Sequence, residues 1–210
     1  MVATTVFMVD RDAQDVEWFK SLGRFREWNQ RALWAVFAHL GCPKSLVDFG
    51  CGDGAMVDAA RRAGRILALG VELLPAVRRF DSGAVVRDLR EPIDLGRTFD
   101  MALCIETGEH MPPESAAALV DNIVRHTDHW LVFTAAAVGQ GGDGHINCQP
   151  QEYWRALIEG HERGLVYVDD VTERLRETWR WATGPMFWLP QNVQVFERTQ
   201  RVQEVSDGAS

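Results

Sequence analysis

The sequence has no long hydrophobic run. No stretch of its 210 residues approaches the length of a membrane span, and Met1 to Asp12 lacks the basic start and following apolar run of an export signal. Both absences predict a soluble, cytoplasmic protein with no membrane partner. Cysteine is sparse and unpaired in pattern: the four, at 42, 51, 104 and 148, show no C-x-x-C spacing, which predicts reduced thiols. Positive charge is also short. The formal net charge is −8, the Lys and Arg residues are scattered, and nucleic acid is disfavoured as a partner. Nothing marks a second domain, because 46% hydrophobic content over this length builds one sizeable core. The polar end of the chain has no core-forming residues. We therefore expect one domain over residues 1–198, whose first 43 residues form a helical lid, and a disordered tail over 199–210.

What is present centres on Ser45 to Ala60. Leu46, Val47 and Phe49 predict a short buried strand, Gly50, Gly52 and Gly54 follow within five residues, and Ala55 to Arg62 reads as a helix. Such a turn brings backbone close to a ligand and points unpaired N–H groups at it. Gly50-Cys51-Gly52-Asp53-Gly54-Ala55 also fits the dinucleotide fingerprint of a nicotinamide oxidoreductase. Asp48 separates the two readings, because a carboxylate there repels a pyrophosphate and attracts an ammonium group. The run Val47-Asp48-Phe49-Gly50-Cys51-Gly52-Asp53-Gly54 resembles the first motif of class I S-adenosylmethionine-dependent methyltransferases.

Further strands are expected over Arg65 to Val71, Ala84 to Arg87, Phe99 to Ile105, Trp130 to Ala137, Leu165 to Val168 and Val193 to Arg198. Helices follow four of the first five strands, which predicts an α/β, Rossmann-like, doubly wound sheet with ligands at the strands' carboxyl ends. The resemblance implies seven strands, mostly parallel with one antiparallel strand, and helices on both faces. Residues 13–40 carry apolar positions at helical spacing and read as two helices breaking near Gly23, with Trp18, Trp28 and Trp34 serving the core or the lid. Glu72 ends the second strand, where a carboxylate accepts two ribose O–H bonds. The resemblance implies S-adenosylmethionine as cofactor, contacted by Asp48, Gly50, Cys51, Gly52, Glu72, Leu73, Asp88, Leu89, Ile105 and Glu106, with the adenine amino group at Asp88.

After the fourth strand, Cys104-Ile105-Glu106-Thr107-Gly108-Glu109-His110 spaces Glu106, Glu109 and His110 at i, i+3 and i+4, so one helical turn would bring them to one face. Two converging carboxylates call for a positive charge between them. E-x-x-E-H resembles the pattern of small-RNA 2′-O-methyltransferases and of ubiquinone-pathway O-methyltransferases. The resemblance implies a divalent metal on Glu106, Glu109, His110 and a histidine beyond the fifth strand, here His145 in the glycine-rich loop from Gly139 to Asn147. By ligand softness the set suits Mn²⁺, Fe²⁺, Co²⁺ or Zn²⁺ better than Mg²⁺.

We expect methyl transfer to a hydroxyl of a small molecule, with His145, His110 and Glu109 as catalytic residues and tryptophans at 179, 181 or 188 enclosing the acceptor. The expected assembly is a monomer or homodimer. The alternatives are a 2′-O-methyltransferase of RNA 3′ ends and a non-catalytic methyltransferase-like binding protein.

Overall fold

Short apolar runs pair into one seven-stranded sheet: β1 (Ser45–Phe49), β2 (Leu67–Glu72), β3 (Ala84–Val86), β4 (Phe99–Ile105), β5 (Thr127–Thr134), β6 (Leu165–Tyr167) and β7 (Gln194–Arg198). The structure is a computed structural model describing residues 11–80 and 83–198; the tail expected at 199–210 lies outside the described residues. The strand order is β3-β2-β1-β4-β5-β7-β6. Only β7 runs antiparallel to its neighbours, β5 and β6. The direction of winding reverses between β1 and β4, which opens a crevice at their carboxyl ends.

The helices are α1 (Arg11–Leu22), α2 (Arg26–Leu40), α3 (Ala55–Arg62), α4 (Ala116–His126), α5 (Gln151–Glu159), α6 (Asp169–Ala182) and α7 (Trp188–Asn192). Strand side chains alternate between two cores, as a period of two requires. Leu46, Met101, Leu103, Val132 and Val195 pack with residues of α2, α3, α6 and α7. Val47, Ala102, Cys104, Leu131 and Phe196 pack with residues of α4 and α5. Sheet positions are therefore covered on both faces, and β1 is buried along its whole length.

One strand departs from expectation by more than a residue or two, and the helix break falls where it was expected. The fifth strand occupies Thr127–Thr134 rather than 130–137, because its partner β4 ends at Ile105, opposite Thr134. The break near Gly23 is a single 3-10 turn, Gly23–Phe25, joining α1 to α2. No helix among the described residues is long and apolar enough to cross a membrane.

The N-terminal helices are fastened beside the crevice by polar contacts. Arg26 donates to Asp53 at 3.1 Å and to Asp58 at 2.6 Å, tying α2 to the glycine turn and to α3. Trp179 on α6 donates its indole N–H to the Ala32 carbonyl at 3.1 Å in the buried seam with α2.

Candidate active site

A cavity of about 1060 Å³ opens at the carboxyl ends of the strands, bounded by the glycine turn, the ends of β2 and β4, α1, the 3-10 turn after it, and the 139–147 loop. It is large enough for a cofactor and a second small molecule. Asp48, Gly50, Cys51, Gly52, Glu72, Leu73, Asp88, Leu89, Ile105, Glu106, His110 and His145 all line it. Of the expected site residues only Glu109 does not, being fully buried behind the wall.

The glycine turn is built for close approach. Gly50 has φ +76°, and a Cβ there would stand 2.2 Å from Thr107 Oγ1, whose hydroxyl donates to the Phe49 carbonyl at 3.2 Å. No side chain fits between the end of β1 and the segment after β4. Gly50 and Cys51 both donate N–H to the Val71 carbonyl, at 2.8 and 3.1 Å.

Glu72 braces this turn. Its Oε2 accepts from Gly52 N–H at 3.0 Å, and its Oε1 accepts from Leu73 and Leu74 N–H at 2.8 and 3.2 Å. Burial raises its pKa, against the pull of these three donors. A carboxylate offers about four acceptor sites, so a lone pair remains for a ligand O–H.

Asp48, 4% exposed, differs in kind. Burial, then Glu72, then Asp53 all push its pKa upward, to about 7, and no cation is set against them. Such a carboxyl is poised to ionise when a cationic group arrives. Asp88 stands at the cavity edge, but its carboxylate is gripped by Arg90 through Nε and Nη2 at 2.6–3.1 Å and by Arg90 N–H at 3.0 Å. This Arg90 fork lowers its pKa. An adenine amino group at Asp88 must therefore share an occupied carboxylate.

At the other end, the segment after β4 does not form the single helical turn that the spacing of Glu106, Glu109 and His110 predicts. Glu106 has φ +50°, the only non-glycine residue with positive φ among those described, and a 3-10 turn begins at Gly108. The strained conformer is held where Glu106 N–H donates to Thr134 Oγ1 at 2.9 Å and to its carbonyl at 3.1 Å. Glu106 consequently points elsewhere. Its Oε1 accepts from Asn192 Nδ2 at 3.1 Å and its Oε2 from Gln140 Nε2 at 3.4 Å, while Asn192 also donates to Gln140 Oε1 at 3.0 Å.

The other three residues of the expected metal set do converge: Glu109, His110 and His145 each offer a ligand atom within 4.8 Å of the others. The loop brings His145 across because Ile146 and Asn147 donate N–H to the Glu109 carbonyl at 2.8 and 3.0 Å. His110 Nδ1 faces the Gly144 carbonyl at 3.2 Å and His145 Nδ1 faces the Gln140 carbonyl at 3.3 Å. Facing an acceptor, each Nδ1 carries the proton, which leaves each Nε2 unprotonated and without a hydrogen bond among the described residues. The two rings meet edge to face at 4.9 Å. Both Glu109 carboxylate oxygens are buried without a hydrogen-bond partner. Burial, together with the Glu106 charge, raises the Glu109 pKa to about 8. Burial, together with His145, lowers that of His110. An orphaned carboxylate beside two imidazoles with free Nε2 atoms fits a divalent cation. Glu106, held by its amide partners, neighbours the Glu109 carboxyl but is not one of the three residues whose ligand atoms converge.

Aromatic side chains close the outer end, where Trp18, Phe25, Phe187 and Trp188 line the cavity. Of the tryptophans expected to enclose an acceptor, only Trp188 lines the cavity. Trp179 is fully buried in the core, and Trp181, two residues further round α6, is 86% exposed. Trp34 is also on the outer surface, 44% exposed, against Phe37. Gln140, Asn192, Thr107 and Thr134 were not legible as site residues, since short polar residues far apart in the chain leave no local pattern.

A family model described as a methyltransferase domain matches residues 22–199. No curated protein matches the sequence. Among solved structures, a sugar N-methyltransferase from Streptoalloteichus sp ATCC 53650 is 18% identical, with 95% of this chain and 99% of that one covered at a TM-score of 0.64. An amino pentose methyltransferase from Micromonospora echinaspora, involved in calicheamicin biosynthesis and solved with S-adenosylmethionine bound, is 19% identical over 95% of this chain and 100% of that one, at 0.59. Magnesium protoporphyrin IX methyltransferase from Synechocystis PCC 6803, also solved with this cofactor, is 15% identical over 94% of this chain and 87% of that one, at 0.55. At these identities the likeness is one of fold.

Proposed function

Since the chain belongs to the methyltransferase-domain family and is a methyltransferase, we propose that it uses S-adenosylmethionine to methylate a hydroxyl of a small molecule, assisted by a divalent metal. The observation that carries the finer reading is the buried, unpartnered Glu109 carboxylate beside His110 and His145, in the wall of the cavity that the glycine turn opens onto. Amine methylation gains less from such a site, because an ammonium group, with a pKa of roughly 10, gives up its proton to a base alone. A hydroxyl is far less acidic and gains more from Lewis-acid polarisation.

S-adenosylmethionine supplies a sulfonium methyl group, an electrophile that needs no further activation. The chain's task is to hold the acceptor in line with it. The Gly50-to-Gly54 turn receives the amino-acid portion, with its ammonium group on Asp48; the remaining lone pair of Glu72 receives one ribose hydroxyl; and Asp88, with Leu89, borders the adenine. A metal held by Glu109, His110 and His145 would supply Lewis-acid polarisation of the acceptor oxygen. His110, its pKa lowered by burial and His145, is neutral at pH 7 and available as ligand or base. The described part of the expected 1–43 lid, residues 11–43, acts as the lid, since Trp18, Leu22 and Phe25 form part of the cavity wall; the first ten residues of that segment lie outside the described residues. RNA 3′ ends are the weaker reading, given the net charge of −8 and the polyanion such a substrate presents.

The test is transfer of an isotopically labelled methyl group from S-adenosylmethionine to a panel of phenols, sugars and amino sugars, with the modified atom located by mass spectrometry and NMR. Label on oxygen is expected. Label on nitrogen alone across the panel would overturn the hydroxyl assignment while leaving the methyltransferase intact. In the same system Glu72→Ala should weaken S-adenosylhomocysteine binding by roughly 1–3 kcal/mol, as for other charged hydrogen bonds. Asp88→Ala should cost less, because its carboxylate is already held by Arg90. Calorimetry giving equal losses for the two variants would reverse that order.

A further inference from the structure

Two arginines line the cavity, and they are in opposite circumstances. Arg90 is neutralised by its fork to Asp88. Arg24, exposed on the 3-10 turn between α1 and α2, stands over the Phe25 ring with its guanidinium carbon 4.6 Å from the ring centroid. Among the described residues no carboxylate pairs with Arg24. Its near neighbour Arg26, facing the other way, takes both Asp53 and Asp58. A chain with 30 acidic and 22 basic residues thus leaves a guanidinium unneutralised at the wall of its ligand site. Stacking on an aromatic face holds the fork in place without using any of its N–H donors.

The surroundings of Arg24 are flat and apolar. Phe25 meets Trp188 edge-on at 6.0 Å and 90°, and Trp188 meets Phe187 at 5.3 Å and 79°. Perpendicular rings of this kind leave open faces on which a planar group can stack. Phe187 is 66% exposed and Trp18 41% exposed, so the cavity rim presents aromatic surface that nothing in the described chain covers. The cofactor end of the same cavity is acidic, with the carboxyl groups of Asp48 and Glu72 on its wall and no cation paired with either among the described residues. Charge therefore runs from negative at the strand ends to positive at Arg24.

We propose that the methyl acceptor is a planar, ring-bearing hydroxy compound carrying an anionic group, and that Arg24 is the residue selecting it. This rests on the reading of the site as one for hydroxyl methylation. The ring stacks among Phe25, Phe187 and Trp188, its carboxylate or phosphate takes the Arg24 fork, and its hydroxyl is directed toward the cofactor end. The acidic wall repels the anion from that end, which sets the acceptor's orientation. A bidentate guanidinium contact discriminates against a neutral analogue because the fork is then left without a partner inside the complex.

The experiment measures binding by calorimetry of matched hydroxybenzoates, hydroxycinnamates and their phenyl phosphate counterparts against the corresponding neutral methyl esters and phenols. It uses the full chain with S-adenosylhomocysteine present. Acids or phosphates should bind at least tenfold more tightly than their neutral partners in one of the series, and the better anion identifies the group. Arg24→Met keeps an apolar stem over Phe25 and should lose that preference, with neutral partners bound within twofold of wild type; Arg24→Lys should keep part of it. S-adenosylhomocysteine affinity is measured first and should be unchanged in both variants. If the wild type failed to bind it, the methyl-transfer reading would fall and the anion preference would then be read on the free protein. Absence of any anion preference in the wild type, or its full retention in Arg24→Met, overturns the assignment.

Discussion

Replacing Asp48 with asparagine should stabilise the free protein above pH 7 and, in the same variant, weaken cofactor binding. The ordinary carboxyl pKa of 3.8 is raised to about 7 at Asp48 by burial and by the charges of Glu72 and Asp53. The folded state therefore holds this proton more tightly than the unfolded chain does. The associated stability is fully present below about pH 3.8 and is lost progressively as pH rises through 7. At about 1.4 kcal/mol per unit the whole loss is on the order of 4 kcal/mol. Asparagine keeps the shape and never ionises, so at pH 8 Asp48→Asn should melt higher than wild type by about 10 °C. Wild type and variant should converge in acid. A ligand ammonium reverses the balance, because only the ionised carboxylate attracts it. Wild-type affinity for S-adenosylhomocysteine should accordingly fall below pH 7, approaching tenfold per unit, with proton release on binding. In Asp48→Asn that pH dependence should vanish along with most of the affinity. Thermal melts and calorimetry between pH 5 and 8 check both halves, and pH-independent binding by the wild type would sink the ammonium assignment.

The cofactor end of the site was readable in advance for a physical reason. Each of its residues sits within a few positions of a strand end, and strand ends announce themselves through apolar runs and glycines. Asp48 and Glu72 follow from that logic alone, and both line the cavity. The mostly parallel, doubly wound sheet followed as well, from the alternation of strands with helices, while its one antiparallel strand came only from the resemblance. The acceptor end obeys no such rule. Whether Glu106, Glu109 and His110 share a helical face depended on the backbone at Glu106, and its φ of +50° is imposed by Thr134 across the sheet rather than by its own neighbours. Asn192 reaches Glu106 from α7, and Gln140 from the loop after β5, contacts that exist only once the chain has closed. The tryptophans fail as predictors for a related reason. Trp179 and Trp181 lie on one helix, yet one is wholly buried and the other 86% exposed, and a wide apolar stripe does not say which of its edges meets a cavity.

Removal of divalent metal should abolish turnover while leaving S-adenosylhomocysteine affinity within about twofold. The ion acts on the acceptor, and none of its proposed ligands belongs to the Asp48 and Glu72 end of the cavity. The physical case lies in Glu109. A carboxylate that is fully buried, with neither oxygen hydrogen-bonded, is held near neutrality with a pKa of about 8. A divalent cation held by the two imidazoles beside it would make its ionised form favourable at neutral pH. One carboxylate and two imidazoles form a mixed oxygen and nitrogen set, which ranks Mn²⁺, Fe²⁺, Co²⁺ and Zn²⁺ above Mg²⁺. His145→Ala and Glu109→Gln should each raise the metal concentration needed for half-saturation at least tenfold, read by manganese electron paramagnetic resonance or by calorimetry without any acceptor present. Glu106→Gln should raise it less, because Glu106 is held by Asn192 and Gln140 and is not among the three residues whose ligand atoms converge. Equal losses at Glu106 and Glu109 would mean that the Asn192 contact opens on metal binding and that all four residues ligate. Full activity after exhaustive chelation, with no metal by elemental analysis, would remove the ion and leave His110 as the base for the acceptor hydroxyl.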